Sequence, residues 1–317
     1  MPSRILIGAL LMSASSTIAS AELPPNGKLS AIKLLEVHAY SEGVVFDHAG
    51  RGYLSHGDRI TQFTLDENSN IKESKVWATT GAPNGHKILA DGTHLVCDAS
   101  RQAVLLLDAD GKFLKNASDN CDGQPVKGPN DLTLDTPNGG FYFSNPDDSP
   151  ADNPTGTVHY VDKAGKTHLV ASKLAYPNGI VLTPDGKRIL LAESRKNRVL
   201  EYPVLSPGKL GEYKVFADLP KKEGEQIDNQ PDGMCLDAEG NLYVAHYGMR
   251  QVQVLDQTGK LIRRYPGGNL TTSNVAFGGP KMNQLFVTGG LGAEAGGGGL
   301  FRLDVGEKGL VILPAKK

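Results

Sequence analysis

Short apolar runs alternate with polar turns along most of the chain, and six segments share one pattern. Each begins with a polar residue, usually followed by glycine, and continues with an apolar run, a turn and a second apolar run. In order, the segments are EGVVFDHAGRGYLSH, NGHKILADGTHLVCD, NDLTLDTPNGGFYFSN, NGIVLTPDGKRILLAES, DGMCLDAEGNLYVAH and NVAFGGPKMNQLFVTG. Apolar runs of this length between turn residues indicate β-strands. Residues typical of hairpin turns stand at Asp91-Gly92, Asn138-Gly139, Pro184-Asp185-Gly186 and Glu239-Gly240.

The six segments begin at nearly regular intervals. Their first residues are separated by 42, 46, 48, 54 and 42 positions and are Glu42, Asn84, Asn130, Asn178, Asp232 and Asn274. A repeat of this length is typical of propeller blades, and further apolar runs such as RITQFTLD and TVHYVDKAG complete four strands per unit. We therefore predict an all-β, six-bladed β-propeller of four-stranded antiparallel blades, because a β-sandwich does not explain six equal units. Residues 31–38 are expected to close the ring against the last blade near residues 310–313.

The N-terminal residues have the composition of an export signal. Arg4 provides a positive charge, residues 5–12 an apolar core, and residues 19–21 a small-residue cleavage site. The apolar core is shorter than the roughly 20 residues of a membrane span, which argues against a membrane anchor. We predict a signal peptide over residues 1–21, one propeller domain over residues 22–317, and export to the periplasm or the extracellular space.

Composition and charge narrow the classes of function. Hydrophobic residues make up 39% and charged residues 21%, as in a folded protein, so disorder is excluded. Lys plus Arg number 33 against 35 Asp plus Glu, so the chain lacks the basic field that nucleic acid or anionic lipid requires. We expect no nucleic acid partner, no membrane association after signal cleavage, and a monomer.

Three cysteines are too few for a disulfide scaffold and too scattered for a zinc site built on thiolates. Cys97 and Cys121 lie within one repeat, and both a disulfide between them and two free buried thiols remain open. Cys235 is expected to be a buried thiol. The cysteines are therefore not expected to carry the chemistry.

The first residues of the repeats are predicted to form a ring at one mouth of the central channel, because inner strands begin near the propeller axis. Glu42, Asn130, Asn178 and Asp232 would offer oxygen ligands and two negative charges to a divalent cation. The absence of His and Cys from these positions argues against zinc, and calcium suits an exported protein better than Mg²⁺. The same residue types also start strands because they form turns, so a metal site and turn chemistry both remain open.

A second polar ring is expected where the second strands of the repeats end. Its members are His56, Asp98, Asn145, Glu193, His246 and Thr288. His246, and His86 on the first strand of its repeat, are candidate substrate contacts or, equally, structural histidines. Residues 146–155 and 220–230 form long polar loops that are candidate walls of a pocket.

Several of these motifs resemble the SMP-30/gluconolactonase/luciferin-regenerating-enzyme-like (LRE) family of six-bladed propellers. They are EGVVFD, GPNDLTLD with FYFSNP, YPNGIVLTPDGK, PDGMCLDAEGNLYVA and TSNVAFGG, and they span nearly the whole mature sequence. The resemblance implies a lactonase that depends on a divalent metal, commonly calcium, and that opens a sugar lactone such as an aldonolactone. It matches Glu42, Asn178 and Asp232 to metal ligands and Asn130 to a ligand or substrate contact. Asp232 is the preferred general base, and Glu42 or a histidine such as His86 is the alternative.

Two departures from the family pattern bear on the substrate. Many relatives have an arginine two residues before the asparagine that matches Asn130, where this chain has Gly128 next to Lys127. Val44, Val45 and Phe46 also replace a Pro and Trp often found after Glu-Gly. The alternatives are an organophosphate hydrolase that uses the same calcium site, as in related propellers, and a non-enzymatic secreted propeller that binds a ligand.

Overall fold

The computed structural model describes residues 22–222, 229–292 and 296–310. The predicted signal peptide and residues 311–313 lie outside these ranges. The described part of the chain is built from antiparallel strands, and its helical structure is a single 3₁₀ turn at Ser194–Lys196. Within the same ranges, no helix is long and apolar enough to cross a membrane.

Each blade runs from an inner strand beside the channel to an outer strand, and strands are numbered in chain order. The outer strand of blade six is β1 (Ile32–Val37). Blade one contains β2 (Ser41–Phe46), β3 (Gly52–His56), β4 (Arg59–Leu65) and β5 (Ile71–Thr79). Blade two contains β6 (Pro83–Ile88), β7 (His94–Asp98), β8 (Ala103–Leu107) and β9 (Phe113–Ser118). A small hairpin of β10 (Asn120–Cys121) and β11 (Gln124–Pro125) follows.

The remaining blades repeat this order. Blade three contains β12 (Leu132–Asp135), β13 (Gly140–Asn145), β14 (Gly156–Val161) and β15 (Thr167–Leu174). Blade four contains β16 (Pro177–Leu182), β17 (Arg188–Glu193), β18 (Arg198–Ser206), the short β19 (Lys209–Leu210) and β20 (Lys214–Asp218). Blade five contains β21 (Gln230–Leu236), β22 (Leu242–Tyr247), β23 (Gln251–Leu255) and β24 (Leu261–Pro266). Blade six contains β25 (Thr271–Gly278), β26 (Gln284–Gly290) and β27 (Gly298–Leu303), with β1. The prediction of six four-stranded blades is confirmed.

Strands from the N-terminal and C-terminal parts of the described chain pair in blade six. Strand β1 pairs antiparallel with β27, from Ile32 opposite Arg302 to Val37 opposite Gly298. The predicted closing segment is therefore correct, but its predicted partner near residue 310 is wrong. Leu310 lies beside the inner strand of blade five, where its N–H donates to the carbonyl of Leu236 at 3.1 Å.

The turns and the spaces between blades follow from the sequence pattern. The predicted turn glycines Gly92, Gly139, Gly186 and Gly240 have left-handed φ angles of 83°, 72°, 69° and 84°. Apolar side chains on facing blades pack together, as where Tyr53 and Ile60 of blade one meet Val96 and Leu105 of blade two. Each large side chain buried in this way contributes about 1.5–3 kcal/mol, so the blades stabilise one another.

The inner strands share a β-bulge where they begin at the channel mouth. On β2 and β3, Ser41 pairs with His56 and Val44 pairs with Leu54, so the inner strand has one extra residue. The other inner strands shift register in the same way, between Pro83 and His86, Pro177 and Ile180, Pro231 and Met234, and Thr272 and Val275. In blade three, backbone hydrogen bonds from Asn130 to Ser144 and from Ser144 to Asp131 mark the equivalent place.

Glycine at the second bulge position lets neighbouring inner strands approach closely. A Cβ on Gly43 would lie 2.3 Å from the carbonyl oxygen of Asn84, and one on Gly179 would lie 2.2 Å from that of Asp232. Gly85 and Gly233 are crowded by the next blade in the same way. None of these four described glycines has a left-handed φ. Close approach of the strands, and not turn formation, therefore explains the repeated glycine.

A methyl group at this position should separate two inner strands. We expect Gly179→Ala to lower the free energy of unfolding by about 1–3 kcal/mol, because the blade-five backbone must move. Gly128→Ala is the matched control, since its nearest neighbour would be 4.0 Å from the new Cβ, and it should change stability by less than about 0.5 kcal/mol. Urea unfolding of both variants tests the packing role, which equal stabilities would contradict.

Candidate functional site

The first bulge position of each inner strand defines the ring at the channel mouth. It is occupied by Glu42, Asn84, Asn130, Asn178, Asp232 and Ser273. The predicted sixth member, Asn274, is wrong by one residue because Thr272 pairs with Gly289 and places Ser273 first in the bulge. The Ser273 hydroxyl donates to the carbonyl of Ser41 at 2.7 Å and pairs with the Thr288 hydroxyl.

Negative charge is concentrated at this ring. Burial raises the pKa of Glu42 well above its usual range, and the charges of Asp232 and Asp131 raise it further. The pKa of Asp232 is also raised, first by burial and then by Asp131, whereas a hydrogen bond from the Asn178 side chain opposes the shift. Two ring carboxylates and one neighbouring carboxylate therefore share a poorly solvated space, which favours a cation.

One lysine lies beside these carboxylates. The Lys87 Nζ is 3.8 Å from Asp131 Oδ1, and Asp131 is almost fully buried. Burial raises the pKa of Asp131 while Lys87 lowers it. A single ammonium group does not balance three carboxylates, so negative charge remains for a divalent ion.

Several ring oxygens have unused hydrogen-bonding capacity. Glu42 Oε2, Asn84 Oδ1 and Asn178 Oδ1 are buried acceptors that have no hydrogen-bond partner within the described ranges. Buried acceptors rarely stay unpaired, because each costs about 1–3 kcal/mol. Carboxylate and amide oxygens are ligands for hard cations, so these residues fit a calcium-type ion. No group of three His, Cys, Asp or Glu side chains among the described residues has metal-binding geometry, so a site here depends on amides as well as carboxylates.

His86 does not belong to this ring. Its Nε2 is 2.7 Å from Nδ1 of His94, and its imidazole lies against Tyr53 and stacks on Trp77 between blades one and two. Alternation along a regular strand would place His86 on the same side as Asn84. The bulge inserts an extra residue between Pro83 and His86 and interrupts this alternation. The structure therefore favours the structural role for His86 over substrate contact.

His246 is also held within the fold. Its Nε2 is 2.8 Å from Asn197 Oδ1, and its Nδ1 is 3.2 Å from the side-chain nitrogen of Gln253. The side chain is fully buried, and burial lowers its pKa to about 3. With both ring nitrogens occupied, His246 joins blade four to blade five, and its predicted contact with substrate is not supported.

Three members of the predicted second ring accept hydrogen bonds from the loops that precede ring residues. Asp98 accepts N–H groups from Gly81 and Ala82 at 2.7 and 2.9 Å, just before ring residue Asn84. In the same way, Asn145 accepts N–H groups from the loop before Asn130, and Glu193 accepts one from the loop before Asn178. His56 bonds to Thr61 instead, and Gly289 replaces the predicted Thr288 in the pairing register. Asp98, Asn145 and Glu193 therefore help to position the ring residues.

Two tyrosines, each two residues before a ring residue, lie beside the carboxylates. Burial raises the pKa of Tyr40, and Glu42 and then Asp232 raise it further. Burial also raises the pKa of Tyr176 to about 12, again with contributions from Asp232 and Glu42. The sequence analysis did not identify either residue as part of the site. Their position before Ser41-Glu42 and Pro177-Asn178 was the available signal.

Tyr176 is part of a larger arrangement at the mouth. Its backbone has a left-handed φ of 58°, which is unusual for a bulky residue. The Arg195 guanidinium lies 5.3 Å from the centre of its ring and forms an ion pair with Asp148 of the predicted wall loop. Lys127, beside the family's arginine position, instead forms an exposed ion pair with Asp147 at 2.8 Å. The wall loop 146–155 is therefore attached near the ring, whereas loop 220–230 lies partly outside the described residues.

The three cysteines are buried and unpaired. Cys97 packs in the core between blades two and three, and the Cys121 thiol donates to the carbonyl of Thr167 at 3.6 Å. Burial raises the pKa of Cys235. Of the two arrangements left open for Cys97 and Cys121, the structure has the free thiols.

Buried neutral histidines predict acid sensitivity. Burial lowers the pKa of His56, His94 and His159 to about 4 and that of His246 to about 3, against about 6.5 in an unfolded chain. Below pH 6.5 the unfolded chain binds more protons at these four histidines, so their contribution to the free energy of unfolding should fall from pH 6.5 towards pH 4.

The test compares His246→Gln with the parent by urea unfolding at pH 7.5 and pH 5.0. The variant should lose about 2 kcal/mol less between these pH values, because one depressed pKa is removed. His48→Gln is the control, since His48 is exposed, and it should follow the parent. An unchanged pH dependence in His246→Gln would show that His246 does not contribute.

Comparison with known proteins places the chain in a family. Residues 40–290 match the sequence model of the SMP-30/Gluconolactonase/LRE-like region. The chain is 30% identical over 173 residues to pentonolactonase XacC of Haloferax volcanii, an alignment that covers 50% of this chain and only 58% of that protein. It is 26% identical over 274 residues to diisopropyl-fluorophosphatase of Loligo vulgaris, covering 78% of this chain and 85% of that protein.

A solved structure has the same fold. Regucalcin of Agrobacterium tumefaciens, described as a calcium-binding protein, matches with a TM-score of 0.71 and 24% identity, covering 91% of this chain and 95% of that one. At this identity the likeness establishes the propeller fold and no more. Because the sequence match extends over residues 40–290, which is most of the chain, the protein belongs to the SMP-30/gluconolactonase/LRE-like family.

Proposed function

We propose that the protein is a divalent-metal-dependent hydrolase that opens a sugar lactone, with calcium as the metal. The observation that carries this proposal is the ring of buried oxygens, in which Glu42 Oε2 and Asn178 Oδ1 have no hydrogen-bond partner among the described residues. Family membership and the pentonolactonase relative support lactone hydrolysis, and the calcium-binding regucalcin supports the metal.

Glu42, Asn178 and Asp232 would hold the metal, and Asn130 would be a ligand or contact the substrate. A divalent cation bound here supplies a Lewis acid for the lactone carbonyl. The two carboxylates balance its charge, and the amides add neutral oxygens without adding repulsion.

Asp232 is the proposed general base, which takes a proton from the attacking water. Its carboxylate accepts a hydrogen bond from the Asn178 side chain, and this bond limits the orientations of the carboxylate. Tyr40 and Tyr176 flank the carboxylates and reduce the access of bulk water. His86 and His246 are not assigned a catalytic role. His86 lies between blades one and two with its Nε2 2.7 Å from Nδ1 of His94, and both ring nitrogens of His246 have hydrogen-bond partners.

The choice of lactone depends on the pocket wall. Gly128 provides no side chain where many family members have arginine, so a sugar cannot be contacted from that position. The Arg195 guanidinium lies 5.3 Å from the centre of the Tyr176 ring and provides a cation near the ring of oxygens instead. We propose an aldonolactone as substrate, with its hydroxyl groups facing this wall.

A second candidate function is organophosphate hydrolysis at the same metal site. It is favoured by the similarity to diisopropyl-fluorophosphatase, which extends over 85% of that protein. Assays with aldonolactones and with diisopropyl fluorophosphate, each with Ca²⁺ and after chelation, separate the two reactions. A protein that binds calcium but acts on neither substrate class would favour the non-enzymatic alternative.

Export remains part of the proposal. The residues that support it are Arg4, the apolar residues 5–12 and the small residues 19–21. Mass spectrometry of protein recovered outside the cytoplasm should give an N-terminus at Glu22, and an intact Met1 on cytoplasmic protein would contradict export.

Substitutions of the ring residues should have different effects on Ca²⁺ binding and on turnover. Glu42→Gln and Asp232→Asn each remove one of the two ring charges, so both should weaken Ca²⁺ binding by tenfold or more and reduce turnover. Asn130→Ala removes a neutral oxygen, so it should retain the metal better and lower kcat/KM even at saturating Ca²⁺. Calorimetric titration with Ca²⁺ beside lactonase kinetics measures both effects.

Metal removal is the companion test of the parent protein. Chelation should abolish activity and lower the melting temperature, because a ligand that binds the folded state stabilises it, and added Ca²⁺ should restore both. Full activity in protein shown by elemental analysis to be metal-free would refute the metal mechanism. If Glu42→Gln, Asp232→Asn and Asn130→Ala all behaved like the parent, the site would lie elsewhere.

A further inference from the structure

Asn84 is the ring residue to which neither the sequence motifs nor the family resemblance assigned a role. It occupies the first bulge position of blade two, as Glu42 does in blade one and Asn178 in blade four. Its Oδ1 is buried and has no hydrogen-bond partner in the described part of the protein, the same condition found for Glu42 Oε2 and Asn178 Oδ1. Asn84 therefore shares two properties with the proposed ligands: its position in the bulge and a buried side-chain oxygen without a hydrogen-bond partner.

The backbone holds Asn84 next to Glu42 around the ring. A Cβ on Gly43 would lie 2.3 Å from the Asn84 carbonyl oxygen, so the two bulges are in direct contact. Asp98 fixes the approach to Asn84 by accepting two loop N–H groups, at Gly81 and Ala82. A short, crowded segment thus fixes the backbone of Asn84 beside that of Glu42.

An unpaired amide oxygen can be satisfied by a hydrogen-bond donor or by a cation. Here the neighbouring ring residue is a buried carboxylate, and Asp232 and Asp131 also contribute negative charge at Glu42. A cation satisfies several oxygens at once and also offsets this charge, whereas a neutral donor satisfies one oxygen and leaves the charge.

We propose that the side-chain oxygen of Asn84 is an additional ligand of the divalent cation, contributed by blade two. The proposal rests on the metal site described under the proposed function. With Glu42, Asn130, Asn178 and Asp232, five blades contribute an oxygen donor, which approaches the six to eight oxygens that calcium takes. Blade six does not contribute, because the Ser273 hydroxyl is bonded to Ser41 and Thr288. The ligand set is therefore open on the side of blade six, where water or the substrate carbonyl would enter.

The experiment measures Ca²⁺ affinity by calorimetry for the parent, Asn84→Ala and Asn84→Asp. Asn84→Ala should bind Ca²⁺ about tenfold more weakly, because one oxygen donor is lost. Asn84→Asp retains an oxygen and adds negative charge, so it should bind Ca²⁺ at least as tightly as the parent.

Melting temperatures without metal distinguish a ligand from a structural residue. Metal-free Asn84→Ala should be as stable as the metal-free parent or more stable, because the substitution removes an unsatisfied acceptor. A structural role predicts the opposite, a lower melting temperature without metal. The Ca²⁺-induced rise in melting temperature should be smaller in Asn84→Ala than in the parent.

Two results would overturn the assignment of Asn84. If Asn84→Ala bound Ca²⁺ as tightly as the parent, Asn84 would be excluded as a ligand. If the Ca²⁺ affinity were unchanged but the KM for the lactone were raised, Asn84 would be a substrate contact. If the proposed metal site itself is wrong, the result is different: neither the parent nor Glu42→Gln binds Ca²⁺. Loss of affinity in Glu42→Gln but not in Asn84→Ala would keep the metal site and reject the new ligand.

Discussion

The close approach of six inner strands at one end of the channel is the constraint on which the candidate site depends. Each inner strand gains one residue by a bulge, and in four blades the second bulge residue is glycine. The missing Cβ allows one backbone to come against the next, as Gly179 does against Asp232. Side chains at the first bulge position are thereby brought together although they are about 40–55 residues apart in sequence.

The same convergence creates an electrostatic cost that the fold alone does not offset. Glu42, Asp131 and Asp232 are carboxylates in one poorly solvated region, and Lys87 lies beside one of them, Asp131. A protein selected only for stability would not retain this arrangement, since like charges and unpaired oxygens both destabilise the folded state. A cation bound among these carboxylates would offset most of this electrostatic cost. The cost is therefore what a cation-binding site would show in the absence of its ion.

The architecture could be predicted from sequence because each blade is a local unit with its own turns and apolar runs. In four blades the ring residue could be predicted because one polar residue stands directly before glycine, as in Glu42-Gly43. In blades three and six two polar residues stand together. The choice of Asn130 was correct, whereas the choice of Asn274 was wrong because Thr272 pairs with Gly289 and places Ser273 first. The local sequence pattern does not determine which of two adjacent polar residues comes first in the bulge.

Side-chain direction was harder to predict than register. The expectation for His86 assumed regular alternation, which a bulge interrupts, so the imidazole faces Trp77 and not the channel. Asp98 and Glu193 were identified as polar strand ends, but their role in accepting N–H groups depends on loops 16 to 18 residues away in the chain. These contacts form only in the folded protein, so the sequence around each residue does not predict them.

The closure of blade six has a consequence for how the chain folds. Strand β1 begins at residue 32 and pairs with β27, so the last sheet joins residue 32 to residue 302. Earlier blades can form from neighbouring segments, whereas this pairing must wait until almost the entire chain is present. As long as β1 has not paired with it, β27 has an exposed edge, which can pair with the β1 segment of another molecule. Domain-swapped dimers should therefore be the characteristic misfolded product at high protein concentration, with each N-terminal strand completing the propeller of its partner.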